Sequence, residues 1–159
     1  MLRAFLIASL TFVFLSTALS NGQTCQQNVA AEAKVRAVAD GIIAADNKRG
    51  LKRVLAYYAK DAILMPPGGN TIVGVDSIRP GYESLFANFQ PEIKPRIHEV
   101  CVSEDFALVR GFNGGRMAGT GSQPSRNLDD VYLMILRRDR RGDWHIAELM
   151  WHPASSSPR

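Results

Sequence analysis

His98, His145 and His152 are the only histidines in this 159-residue chain, and Cys25 and Cys101 its only cysteines. A four-ligand zinc site needs closely spaced pairs of such residues, and no such set can be written here. Strand alternation gives no two of the imidazoles a common face, and His98 and Glu99 point to opposite sides of any strand that holds both. The chain therefore calls for no metal and no other cofactor. His98 stands as a lone acid–base candidate, against the plainer reading of a satisfied or exposed ring.

Two further patterns invite a chemical reading. Arg137, Arg138, Arg140 and Arg141 could clamp phosphate, but Asp139 and Asp143 interrupt the run, and a solvated charged turn explains it more simply. Gly111, Gly114, Gly115, Gly119 and Gly121 match neither a P-loop nor a dinucleotide fingerprint. They read as places where a strand bends.

Composition sets the frame: 46% hydrophobic, 21% charged and a formal net charge of +4 fit one ordinary globular domain. The charge is too small to call for nucleic acid. Residues 1–20, MLRAFLIASLTFVFLSTALS, combine a basic start at Arg3, an apolar run over 4–15 and small residues at 18 and 20. That is the pattern of a cleaved export signal, and the run is shorter than the roughly 20 residues a membrane span needs. Cleavage removes Arg3, lowers the charge to +3, and leaves a secreted or periplasmic protein with no membrane anchor. An oxidising compartment makes a Cys25–Cys101 disulfide available. The alternative is a buried free thiol at Cys101 and a mobile Cys25.

Behind a short tail at 21–28, apolar spacing predicts an amphipathic helix over 29–46 and a shorter one over 51–58. Brief strands at 61–65 and 71–74 flank the Pro66-Pro67-Gly68-Gly69-Asn70 break. A third helix follows, capped by Asp76 and running to about 88, with Pro80 near its first turn. Beyond Pro91 the period changes to two, giving strands over 93–103, 106–117, 127–138 and 143–151 joined by hairpins. The product is an α+β domain over 29–153, helices packed on a curved, mostly antiparallel sheet, with a tail at 154–159. Strand 127–138 is apolar on both faces, whereas the helices cover one. A homodimer through the outer face follows.

Three phrases resemble the nuclear transport factor 2-like superfamily, which includes steroid isomerases and SnoaL-like cyclases: YYAKDAILMPPGG, IVGVDSIRPGYESLF and DDVYLMILRRDRRGDWHIAELMW. The resemblance implies a cone-shaped domain around an internal pocket, and a fold that hosts enzymes, binders and dimerisation modules alike. The isomerase apparatus, a worked example of an Asp base with a Tyr and a protonated Asp as oxyanion hole, is missing. Its three positions fall on Pro66, Ile42 and Met134, which cannot move a proton.

The same overlay implies a pocket lined by Phe106, Leu108, Arg110 and Phe112, by Asp130, Tyr132 and Met134, by Leu149 and Trp151, and by Tyr82 and Phe86 from the third helix. Arg110 and Asp130 would then meet across the sheet as a ligand-orienting pair or as a structural ion pair. The leading expectation is a binder of a small apolar molecule carrying one oxygen function. An isomerase- or cyclase-type enzyme is the alternative, with Asp130 or His98 moving protons while Arg110 and Tyr132 stabilise an enolate-like oxygen. A non-catalytic dimerisation module with a filled interior is the third reading.

Overall fold

A computed structural model describes residues 25 and 28–154. The export signal expected at 1–20 and most of both tails lie outside the described residues. No described helix is long and apolar enough to cross a membrane.

Helix α1 (Val29–Asn47) starts where the Asn28 side chain accepts the Ala31 N–H at 3.0 Å, an N-cap of the usual kind. Its buried side, Val35, Ala39, Ile42, Ile43 and Asp46, keeps the spacing of a single helical stripe. Asn47 ends it by copying a strand partner. Its amide donates to the Ile93 carbonyl at 2.9 Å and accepts the Ile93 N–H at 2.7 Å, fixing the helix to the sheet.

Helix α2 (Leu51–Leu55) stops three residues earlier than its apolar spacing suggests. The Tyr57 carbonyl is taken by the Ile146 N–H at 2.8 Å, and Tyr58 already belongs to strand β1 (Tyr58–Met65). Strand β2 (Ile72–Val73) pairs antiparallel with β1 across the Pro–Gly break. Helix α3 (Val75–Asn88) is capped by Gly74 and not by Asp76. Gly74 sits at φ 86°, which glycine adopts without strain, and Pro80 lies inside the helix on its exposed side.

Strands β3 (Phe89–Ser103), β4 (Phe106–Gly119), β5 (Arg126–Arg138) and β6 (Trp144–Pro153) form the meander. Together with the first two they make a six-stranded sheet of order β2-β1-β6-β5-β4-β3, in which β1 and β6 are parallel and the rest antiparallel. The helices cover one face. Ala107, Val109, Tyr132, Met134, Leu136, Trp144 and Ile146 meet α1, α2 and α3 in a single apolar core.

One covalent tie crosses this frame. Cys25 is bonded to Cys101 on the edge strand β3, with Cα atoms 5.0 Å apart. Cys101 lies opposite Leu108 on the sheet face turned away from the helices.

Candidate functional site

The β5 and β6 residues expected to line a pocket face the helices. Asp130, Tyr132 and Met134 share the helix-facing side of β5, and Tyr132 and Met134 lie opposite Trp151 and Leu149 of β6. Tyr82 and Phe86 reach the same interior from α3. Strand β4 is reversed. Its inner residues are Ala107, Val109 and Gly111, opposite Leu136, Met134 and Tyr132, so Phe106, Leu108, Arg110 and Phe112 point away from the helices. Antiparallel pairing sets Arg110 against Leu133 and Asp130 against Asn113, which places Arg110 and Asp130 on opposite faces. The expected pair across the sheet does not form. Arg110 instead meets Glu99 at 3.0 Å, both more than 40% exposed, a pair of small energetic weight.

Phe106 is exposed at 57%, and Phe112 lies beneath the Arg96 guanidinium at 5.1 Å on the outer face. His98 occupies the register shift between Ile97 and Glu99 and is exposed, so it faces no interior group. Its role as a proton carrier falls with that placement.

The polar centre of the interior lies elsewhere. Asp46 is the one buried charged residue of the described core, and its Oδ1 has no hydrogen-bond partner. Burial lifts its carboxyl from the usual carboxylate range to about 7. Within range of its charge, the hydroxyls of Tyr58 and Tyr82 are 2.8 Å apart. Burial drives the Tyr58 phenol well above its ordinary value, its bond to Tyr82 pulls it partly back, and the Asp46 charge pushes it up again. Tyr82 is raised by burial first, then by Tyr58 and by Asp46. An acid and two phenols thus feel one another in a low-dielectric interior. One sequence signal pointed here: Asp46 continues the apolar stripe of residues 35, 39 and 42.

A second polar group sits further along the inner face. Asn113 Oδ1 is buried without a partner, opposite Asp130. Burial raises the Asp130 carboxyl, with Arg126 and His152 opposing and Asp129 adding to the shift. Tyr132 is pushed up to about 12, mainly by burial.

Two hollows open at the surface. The larger, about 600 Å³, is bordered by Lys48, Arg49, Leu51, Glu83, Phe86 and Gln90, at the junction of α1, α2 and α3. The smaller, about 300 Å³, opens where β1 leaves β6 between Tyr58 and Ile63. Its lining brings Arg137 to Asp61 and His145 to Asp139, with Lys60 beside them. Of the residues expected to line a pocket, Phe86 alone borders either hollow.

Residues 39–151 match the family model of the SnoaL-like domain. The chain belongs to the SnoaL-like family. Among solved structures, a ketosteroid isomerase-like protein from Erwinia carotovora atroseptica SCRI1043 is 28% identical, with a TM-score of 0.70 over 76% of this chain and 93% of that one. A candidate dehydratase of the NTF2-like family from Streptomyces avermitilis is 16% identical, with a TM-score of 0.70 over 80% of this chain and 99% of that one. A candidate scytalone dehydratase from Novosphingobium aromaticivorans DSM 12444 is 15% identical, with a TM-score of 0.67 over 82% and 91%. These last two share the fold. No curated protein matches the chain. In this SnoaL-like domain Ile42 and Met134 are packed in the core and Pro66 is half-buried, so the isomerase positions remain aprotic. Among the described residues, burial raises the titrating groups of Asp46, Tyr58, Tyr82, Asp130 and Tyr132.

Proposed function

We propose that this SnoaL-like domain binds a small, largely apolar molecule through one hydroxyl group, and that Asp46, with the Tyr58–Tyr82 pair, is the group that receives it. The unpartnered Asp46 Oδ1 carries the reading. A buried carboxylate oxygen without a donor is costly, and a ligand hydroxyl would supply the donor while a phenol answers its lone pair. Phe86, Met134, Leu149 and Trp151 offer apolar surface to the rest of such a molecule.

The same reading places the protein outside the cytoplasm, supported by the leader pattern and by the Cys25–Cys101 bond. It also pairs two copies through the outer sheet face, where Leu108, Val131, Leu133, Ile135 and Met150 lie without cover from the helices. An enzyme of the isomerase or dehydratase kind is a second reading, favoured by one observation. A carboxyl titrating at about 7 suits proton transfer at neutral pH.

The test is a thermal-shift and native mass-spectrometry screen of the leader-free protein against phenols and alicyclic alcohols, each paired with its deoxy analogue. Hydroxylated members are expected to raise the melting temperature, and Asp46→Asn to abolish the preference for the hydroxyl. A panel that leaves wild type unmoved, or an Asp46→Asn variant that discriminates equally well, overturns the proposal. Chromatography of the bound compound after incubation separates turnover from binding.

A further inference from the structure

One residue of the 600 Å³ hollow's lining, Phe86, packs against the interior polar cluster. Phe86 borders the hollow and is itself buried. Its ring packs against Tyr82 at 5.6 Å between centroids, and Tyr82 is the hydrogen-bond partner of Tyr58. Phe86 thus links the solvent-open hollow, through Tyr82, to the phenol pair.

The rim belongs to the same turn of chain that carries Asp46. Asp46 points into the core, and Lys48 and Arg49 follow it at the surface. That turn is firmly held. The Arg49 N–H donates to the Asp46 carbonyl at 2.8 Å and the Gly50 N–H to the Ala45 carbonyl at 2.9 Å, keeping Arg49 at φ 51°, in the region that favours glycine. The Arg49 guanidinium also donates to the carbonyl of Phe86, tying the rim to the residue on the floor. Among the bordering residues two cations stand against one anion, Glu83.

We infer that this hollow is the entrance to the Asp46 cluster, gated by Phe86, and that it selects amphipathic molecules with a hydroxyl at the inner end and an anionic group at the outer end. The inference rests on the reading of the Asp46 cluster as the hydroxyl site. The hydroxyl passes Phe86 to Asp46, the apolar body lies against Phe86 and Leu51, and the anion meets Lys48 and Arg49. Because that outer contact is open to water, its attraction is modest and screened by salt. The Asp46 contact, being buried, is screened far less.

Matched pairs of probes separate the two claims: 4-propylphenol against 3-(4-hydroxyphenyl)propanoate, and 4-butylphenol against 4-(4-hydroxyphenyl)butanoate, titrated by calorimetry at low and high salt. The carboxylates are expected to bind about two- to fivefold tighter at low salt, an advantage of the size one exposed charge pair gives. That advantage should vanish at about 0.5 M salt, where the screening length is a few ångströms, and in Lys48→Glu. Phe86→Leu, which keeps the floor apolar, should speed both association and release without erasing the preference. Equal affinity within each pair, with both members still dependent on Asp46, overturns the entrance and leaves the hydroxyl site standing. Undiminished binding of both members by Asp46→Asn, or no binding at all by wild type, overturns both.

Discussion

The Tyr132 ring occupies the space that a side chain on Gly111 would need. The two residues are directly opposite on β5 and β4, and a Cβ at position 111 would lie 2.5 Å from the Tyr132 ring carbon that bears the hydroxyl, and closer still to the hydroxyl oxygen. An aromatic ring packed under α1 cannot give way by that much without moving the core. Gly111→Ala is expected to destabilise the domain by about 2–3 kcal/mol in chemical denaturation, within the range for overpacking. Trimming the ring in the same background, with Tyr132→Leu, should recover part of the loss. Strictly additive costs would show that the ring does not fill the glycine's space.

That same size matching explains which face β4 shows to the helices, and why its residues mislead when read alone. Phe106, Leu108 and Phe112 are the bulky apolar members of the strand and look like its inner set, but the inner positions hold Ala107, Val109 and Gly111. Small residues are needed there because their partners, Leu136, Met134 and Tyr132, are large. Strand β5 is apolar on both faces, so it offers no alternation against which a neighbour's face could be set, and a one-residue slip in parity exchanges the two sides completely. The helices and the meander were legible because period and turn residues mark them locally. Asp46 lies on the buried stripe of α1, but the stripe alone does not mark it, because an acid there is ordinarily a residue at the stripe's edge and its burial comes from tertiary packing.

Burial of Asp46 makes a definite pH signature. Its carboxyl titrates near 3.8 when exposed and near 7 in the folded chain, so the folded state binds the proton more tightly, and stability present at low pH is lost as pH rises from about 4 through 7. That difference corresponds to a loss on the order of 4 kcal/mol as an upper figure. Asp61 and Asp139 act the other way. Arg137 and a backbone N–H hold Asp61 low, and the Asp143 and Arg141 backbone N–H groups with the Arg141 guanidinium hold Asp139 low, so their contribution is lost only as pH falls below the ordinary Asp range. The difference between wild type and Asp46→Asn, measured by urea unfolding from pH 4 to 8, isolates Asp46. The Asp46→Asn protein should gain on wild type steadily up to about pH 7 and then run parallel to it. A constant difference across that range would mean that Asp46 is solvated in the folded protein.

The Cys25–Cys101 bond spans a sequence separation of 76 residues. Closing so long a loop restricts the unfolded chain by about 4.5 kcal/mol in the chain-entropy account. Reduction, or Cys25→Ser with Cys101→Ser, should therefore lower the melting temperature by on the order of 10 °C for a domain of this size. Because the bond joins the segment before α1 to the edge strand and leaves the core apolar contacts alone, the far-ultraviolet spectrum of the reduced protein should be unchanged at room temperature. An unaltered melting temperature after complete thiol release would show that the bond constrains nothing.

Leu133 stands at the middle of the uncovered sheet face, between Arg110 of β4 and Met150 of β6, with Val131 and Ile135 on the same side of its own strand. Met150 is 41% exposed and Phe106 57%, and the Arg110–Glu99 pair flanks them. A contiguous aliphatic surface of this kind is stabilised when a second copy covers it, and a carboxylate introduced at its centre would be desolvated without a partner in that complex. In a monomer the same side chain can turn to water. Leu133→Glu is therefore expected to weaken self-association by at least about a hundredfold, the order of the cost of an unpaired charge at an interface, while leaving the circular dichroism spectrum and the Asp46-dependent binding intact. Arg140→Glu, at the exposed β5–β6 tip, is the control and should leave the dimer unaffected. Sedimentation equilibrium over about 1–100 μM, a range that brackets ordinary dimer affinities, reads both. A wild-type protein that stays monomeric throughout, or a Leu133→Glu variant that sediments as the dimer, would remove the outer face from the pairing of two copies and leave its apolar residues to be covered by something other than this chain.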